Sequence, residues 1–382
     1  MARITRIDFL VFIRVIRAIR GWFKLKFMKK FRSGLIVGKF SPLHKGHEYL
    51  IETALRQCET LYIFSYYTPE FTGCEAHRRE FWLRALFPAA KIFVIDDAFV
   101  QKRFNISLPP VGATDLEERR FVGFLWLQLV NEPLDAVYTS ENYGAGYAAE
   151  MSRYFAEYTN FPPVAHVLVD LERRRIPISG TKLRAAIHRH KEFLSPVVYA
   201  SFVERICFLG GESSGKSTLT ARLAEEFETN YVEEYGRTLS EEKDNRLVYE
   251  DLLRIAKTHI ADEEKLAESA RRYLFIDTTP LTTLLYSEYL FGKVDPELVW
   301  LSHRRYDRTF LCAPDFDFVQ DGSREGDGFR ERQHDWYLQK LAERQISYTV
   351  LRGSLEERVS RVKGIIQAAA QKQDTDLVDR CG

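Results

Sequence analysis

Arg205-Ile206-Cys207-Phe208-Leu209 runs directly into Gly210-Gly211-Glu212-Ser213-Ser214-Gly215-Lys216-Ser217, and a helix-like stretch from Ser217 to Phe227 follows. An apolar run, a glycine-interrupted loop and an amphipathic segment in that order read as strand, loop and helix. The loop satisfies G-x-x-x-x-G-K-[ST] in the context that the pattern requires, which separates it from a chance glycine-rich turn. Such a loop turns its backbone N–H groups inward around an anion; Gly210 and Gly215 supply the conformational freedom, and the helix N-terminus adds a favourable dipole. The spacing predicts a parallel α/β unit that holds ATP phosphates on Gly210, Gly211, Ser213, Ser214, Gly215, Lys216, Ser217 and Thr218. Lys216 is expected to reach the β- and γ-phosphates. Ser217 is expected on Mg²⁺, with Asp277, after the apolar run Tyr273–Ile276, as its acidic partner.

Downstream of this loop, Tyr231–Glu234, Tyr273–Ile276, Phe316–Val319 and Ser347–Leu351 read as the remaining strands of the same unit. Glu234 ends the unit's expected second strand and so points toward the ligand crevice at the carboxyl edge of the sheet. It is a candidate to orient or deprotonate an acceptor hydroxyl, with Asp277 as a competing base and a solvated acidic loop as the plain alternative. Asp321-Gly322-Ser323-Arg324, followed by Arg330 and Arg332, has the composition of a lid. Arg324 is the preferred clamp for a migrating phosphoryl group, whose spread charge suits planar donors. Arg330 and Arg332 read equally well as charged surface loop.

Upstream, a second unit begins with Leu35-Ile36-Val37, continues through a loop to a helix-like stretch at Glu48–Cys58, and alternates strands at Leu61–Ser65, Lys91–Ile95, Ala136–Thr139 and Val164–Val169 with helical segments. The fold class is therefore α/β, with two Rossmann-like parallel-sheet domains. The expected partition is a basic extension at 1–33, a first domain at 34–187, a linker at 188–202 and a second domain at 203–382.

The first domain's loop reads Gly38-Lys39-Phe40-Ser41-Pro42-Leu43-His44-Lys45-Gly46-His47. Two histidines three residues apart beside the close-approach Gly46 can face one phosphate. Transfer of an adenylyl group needs in-line approach to the α-phosphorus and a stabilised pyrophosphate, and His44 and His47 supply donors for both. Gly38, Lys39 and Phe40 complete the mouth of this second ATP site. Metal ligation is the alternative for a histidine pair, but no third ligand lies at a suitable local spacing. After the last strand comes Ile178-Ser179-Gly180-Thr181-Lys182-Leu183-Arg184, in which Ser179 and Thr181 start a helix that presents N–H groups to phosphate, with Arg184 one turn on.

Composition sets limits on the partners. The 382 residues are 45% hydrophobic and 29% charged, with a formal net charge of +1, so small anionic ligands are expected rather than nucleic acid. Five scattered cysteines form no C-x-x-C pair, which fits a reducing, cytoplasmic setting. No run approaches the roughly 20 apolar residues of a membrane span. Residues 1–33 are rich in Arg and Lys, with Asp8 as the one acid. They read as a membrane-surface docking helix or as an extension without function, since Met28 before Lys29-Lys30 resembles an alternative translation start.

Taken together, G-x-F-x-P-x-H-x-G-H and I-S-x-T-x-x-R resemble the nicotinamide-nucleotide adenylyltransferase branch of the H-x-G-H nucleotidyltransferases. Fusion to the phosphate-loop unit, with Glu234–Arg237 and Asp321–Arg324, is similar to the bifunctional NadR type. Ser140-Glu141-Asn142-Tyr143-Gly144 and Asp170-Leu171-Glu172-Arg173 are supporting matches. The resemblance covers about residues 34–365. It implies phosphorylation of nicotinamide riboside and adenylylation of nicotinamide mononucleotide to NAD, with ATP and Mg²⁺ at work and a homo-oligomer possible. Some members carry an N-terminal helix-turn-helix, but residues 1–33 are too short for that unit and DNA binding is not expected. Two other readings stay open: a nucleotide-sensing regulator with slow turnover, and the same two chemistries on other substrates such as pantetheine phosphate or sugar phosphates.

Overall fold

The chain is described by a computed structural model at residues 29–66, 72–110, 112–315 and 327–381. It divides into two compact units, Met1–Gly180 and Thr181–Gly382. The N-terminal arm up to residue 28, Phe316–Val319 and Asp321–Arg324 lie outside the described residues.

In the first unit, β1 (Phe31–Val37), β2 (Cys58–Tyr66), β3 (Lys91–Ile95), β4 (Ala136–Thr139) and β5 (Ala165–Leu168) form a parallel sheet in the order β3-β2-β1-β4-β5. Leu35 and Ile36 on β1 and Ile63 and Phe64 on β2 are fully buried. Helices cover both faces of such a sheet, which is why its central strands read as continuous apolar runs. At Gly34 the strands approach so closely that a Cβ would stand 2.4 Å from Cys58 Sγ. The helices Asp115–Leu129 and Gly144–Tyr158 contribute Val122, Leu125, Trp126, Met151 and Phe155 to one core. Trp126 is buried there because its indole N–H donates to the Glu132 carbonyl at 2.8 Å.

The order of strands reverses direction between β1 and β4. Successive strands run one way from β1 to β3 and the other way from β4 to β5, which opens a crevice beyond the carboxyl ends of β1 and β4. The His44–His47 loop and the Ser140–Gly144 turn leave the sheet at these two ends.

The second unit builds another parallel sheet from β6 (Glu204–Leu209), β7 (Tyr231–Val232), β8 (Tyr273–Asp277), β9 (Arg308–Cys312) and β10 (Thr349–Leu351), in the order β10-β9-β6-β8-β7. Among the described residues the fourth strand is Arg308–Cys312; the strand expected at Phe316–Val319 lies outside them. Phe310-Leu311-Cys312 is a short apolar run behind a cluster of charges, and pairing with β6 on one side and β10 on the other makes it part of a buried strand. The second strand is also shorter than Tyr231–Glu234 suggests and sits at the sheet edge, with β8 between it and β6. Residues 191–202 are wound into short helical turns at Lys191–Phe193, Pro196–Tyr199 and Ala200–Phe202.

Candidate active sites

The phosphate loop leaves β6, the central strand of the second sheet, and opens the helix Lys216–Glu226. Gly210 and Gly215 both have positive φ, 147° and 77°, and a Cβ on Gly210 would lie 2.7 Å from the Cys312 carbonyl oxygen. Both positions therefore need glycine. Ser213 also has positive φ, and Ser214 Oγ donates to the Gly211 carbonyl at 2.7 Å. Lys216 is 8% exposed and donates to the same carbonyl at 2.9 Å, so its charge is already turned back over the loop. Ser217 and Thr218 follow in the first turn.

Asp277 ends β8 in register with Phe208, two residues before Gly210. Its carboxylate is buried, and among the described residues Oδ1 accepts no hydrogen bond. A buried carboxylate oxygen without a donor costs free energy unless a cation or water meets it. Glu234 immediately precedes the helix Tyr235–Glu242, and its side chain is 19% exposed. Burial, and then the Asp277 carboxylate, push its carboxyl above the usual range, while Lys216 and Arg237 oppose the shift. A carboxylate raised toward neutrality beside a fixed ammonium is suited to taking a proton.

The lid expectation is corrected for two of its arginines. Arg330 and Arg332 lie on the helix Asp327–Glu343, and Arg330 is buried. The backbone of Arg330 packs against the loop, since a Cβ on Gly211 would stand 2.8 Å from its carbonyl oxygen. On the same helix, Gln333 Oε1 accepts the Glu212 N–H at 2.8 Å, and the Tyr286 hydroxyl donates to Glu212 Oε1 at 2.9 Å. Arg324 lies outside the described residues.

In the first unit, His44 caps the helix Lys45–Gln57. The two histidines cap each other: the His47 N–H donates to His44 Nδ1 at 3.3 Å and the His44 N–H to His47 Nδ1 at 3.4 Å. Their rings stack with centroids 3.7 Å apart. Because both Nδ1 atoms accept, the neutral rings carry their protons on Nε2 and present them as donors. Burial, with Arg173 adding to it, lowers His44 to about 4. Burial, then His44 and Arg173, hold His47 well below its ordinary value. Gly46 gives room for this arrangement, since a Cβ there would lie 3.0 Å from the His44 ring. Phe40 packs edge-on to His47 at 5.1 Å, and Gly38 lies against the Phe40 ring. Lys39 is exposed at the mouth of the loop.

The Ile178–Arg184 stretch spans the division of the chain between Gly180 and Thr181. Ser179 belongs to the first unit. Thr181 and Arg184 sit on the helix Gly180–Ala185, where Arg184 Nη2 donates to Thr181 Oγ1 at 3.2 Å.

Side chains outside the motifs also support the first loop. Arg79 is 1% exposed, and its Nη1 donates to Ser65 Oγ at 2.6 Å and to the Lys39 carbonyl at 3.3 Å. Its signal in sequence is its position on the buried stripe three and four residues before Trp82 and Leu83. Arg173, which adds to the effect of burial on both histidines, lies in the Asp170–Arg173 match and pairs with Glu141 at 3.5 Å. At Gly144 a Cβ would stand 2.0 Å from His166 Nε2 and 2.2 Å from Thr139 Oγ1, so the Ser140–Gly144 turn tolerates no side chain there.

Three imidazoles, the buried His44 and His259 and the half-buried His188, are each held near 4, chiefly by desolvation. Above the ordinary value of 6.5 they are neutral folded and unfolded; between 6.5 and 4 the unfolded chain takes up protons that the folded chain refuses. Stability should therefore fall as pH falls through that window. Proton NMR of the histidine Hε1 signals provides the check: these three should hold their neutral positions down to about pH 5. Titration near 6.5 would contradict the burial.

The geometry defines a chain of two parallel α/β units, one with a phosphate loop and one with a stacked histidine pair at a topological switch point. A family model described as an AAA domain matches residues 205–358. The chain is 29% identical over 329 residues, 81% of its length and 76% of the relative's, to the trifunctional NAD biosynthesis/regulator protein NadR of Salmonella typhimurium. It is similar in fold to the crystal structure of NadR protein in complex with NR (TM-score 0.62, 22% identity, 85% of this chain and 88% of that one). It is also similar to that of NadR protein in complex with NAD and AMP-PNP (TM-score 0.63, 20% identity, 89% and 97%). The NadR-type resemblance carried by the motifs thus extends along most of the chain.

Proposed function

We propose that the chain is a bifunctional NAD salvage enzyme, with a nicotinamide-nucleotide adenylyltransferase domain at 34–187 and a ribosylnicotinamide kinase domain at 203–382. The observation that carries this reading is the presence in one chain of two loops with phosphate-binding sequence patterns, each at the carboxyl end of the first strand of its own parallel sheet. The name of the Salmonella relative and the ligands of the two NadR structures support the choice of substrates.

In the kinase, a primary hydroxyl of nicotinamide riboside attacks the γ-phosphorus of ATP. The new O–P bond forms as the bond to the β-phosphate oxygen breaks, the proton passes to Glu234 or Asp277, and ADP leaves. Lys216 and the loop N–H groups hold the phosphates, and Arg324 is assigned to clamp the migrating group. Ser217 and Asp277 are the residues that would hold Mg²⁺, and the donor-free Asp277 Oδ1 fits a cation. The ion would supply charge neutralisation at the phosphates.

In the transferase, a phosphate oxygen of nicotinamide mononucleotide attacks the α-phosphorus of a second ATP and pyrophosphate departs. His44 and His47 donate Nε2–H to the reacting phosphates without competing as nucleophiles. Gly38, Lys39, Phe40, Gly46 and Ser179 bind that ATP.

Incubating the purified protein with Mg-ATP and nicotinamide riboside and following products by mass tests both steps. Mononucleotide and then NAD are expected. A protein that makes neither refutes the proposal.

A further inference from the structure

Arg358 stands in the first turn of the helix Leu355–Cys381 and is 1% exposed. Its donors go to three backbone carbonyls and one carboxylate. Nη1 donates to Ser214 O at 2.7 Å, Nη2 to Ala313 O at 3.1 Å and Nε to Gly353 O at 3.0 Å, while Nη2 also pairs with Asp315. Ala313 directly follows β9 and Gly353 lies two residues after β10, so one guanidinium joins the ends of two strands to the phosphate loop.

The bond to Ser214 has a directional consequence. A trans peptide is planar, with its C=O and N–H on opposite sides. Drawing the Ser214 carbonyl toward Arg358 therefore aims the Gly215 N–H away from Arg358. Gly215 precedes the helix Lys216–Glu226 with φ of 77°, and among the described residues its N–H meets no acceptor. Its neighbours already turn the other way, with Ser214 Oγ and Lys216 Nζ both on the Gly211 carbonyl. A rigid, forked donor suits this task in a way that the single ammonium of lysine does not.

We propose that Arg358 is a positioning residue of the phosphate loop: by holding the Ser214 carbonyl it sets the Gly215 N–H as a donor to nucleotide phosphate and ties that setting to the ends of β9 and β10. This rests on reading the loop as a triphosphate site, but not on the identity of the acceptor substrate.

The Gly215 amide itself is the readout, so nucleotide bound at the histidine loop does not enter. In wild-type protein labelled with ¹⁵N-glycine, its signal should move downfield as Mg-ATP is added. In Arg358→Lys the titration midpoint should rise by roughly tenfold or more, the scale of a charged hydrogen bond lost, while adenylylation of supplied mononucleotide stays at the wild-type rate. Asp315→Asn removes the ion pair but keeps the three carbonyl bonds, and its midpoint should stay within about threefold of wild type. An unmoved Gly215 signal in wild type overturns the proposal without any variant, as does an unchanged midpoint in Arg358→Lys or an equal loss in Asp315→Asn. A wild-type protein whose Gly215 responds to Mg-ATP but which does not phosphorylate the riboside fails the proposed function and leaves Arg358 standing.

Discussion

Lys216→Ala should abolish phosphorylation of nicotinamide riboside while adenylylation of supplied mononucleotide continues near the wild-type rate. Lys216 is buried in the phosphate loop with its ammonium on the Gly211 carbonyl at 2.9 Å. That bond is neutral in charge on the acceptor side, so a phosphate oxygen is the stronger partner and draws the ammonium across when nucleotide arrives. The charge then counts for more in the transition state than in the ground state, and its loss should lower the kinase rate by roughly two or more orders of magnitude. The variant also leaves the Gly211 carbonyl without this donor, but Ser214 Oγ still reaches it, so the fold should hold. The histidine loop belongs to the other compact unit and keeps its own hydrogen bonds. Rates of both reactions and a melting curve test this together. Loss of both activities in a variant that melts like wild type would sink the two-site model.

The converse dissection has a comparable effect. His47→Ala should block conversion of mononucleotide to NAD and spare formation of mononucleotide from the riboside. His47 Nε2–H is a fixed donor because its Nδ1 accepts the His44 N–H, and a neutral ring held well below its ordinary pKa keeps that proton in place at neutral pH. A donor aimed at the attacked phosphate and the departing pyrophosphate is felt more strongly as charge develops, so the rate constant should fall more than ATP affinity does. His47 is also half of the helix cap, and removing it should cost about 1 kcal/mol of stability. His47→Gln separates the two contributions, since glutamine three residues into a helix is the ordinary partner in a capping box. It should recover melting temperature without recovering NAD synthesis. Recovery of both, or normal NAD production by His47→Ala, would make the histidine structural.

The neighbours of each loop in the chain were readable before any coordinates. Gly210–Ser217 and Gly38–His47 state their chemistry locally: glycines where the backbone must turn, a lysine or a histidine at fixed spacing, and a strand before and a helix after. The apolar runs at 61–65, 91–95 and 136–139 are the continuous signature of buried parallel strands, and they matched β2, β3 and β4 because burial on both faces leaves little choice of residue. β9 escaped because three apolar residues among charges do not announce a strand until partners stand on both sides of it. The same reason hid Arg79 and Arg358. Each is an arginine within a helix pattern; Arg79's place on the stripe of Trp82 and Leu83 is a local signal, but the usual exposure of arginine speaks against reading either as buried. Their partners are remote in sequence: the Lys39 carbonyl lies 40 residues before Arg79, and the Ser214 carbonyl 144 residues before Arg358. The mutual cap of His44 and His47 was local in sequence, yet the proton-bearing nitrogen of each ring is settled only by backbone geometry at the helix start. Local pattern determined which loops are the candidates for holding phosphate, because covalent spacing places those groups whatever surrounds them. Packing decided which distant charges hold the loops in shape, because a buried guanidinium is stable only where acceptors from separate parts of the chain converge on it.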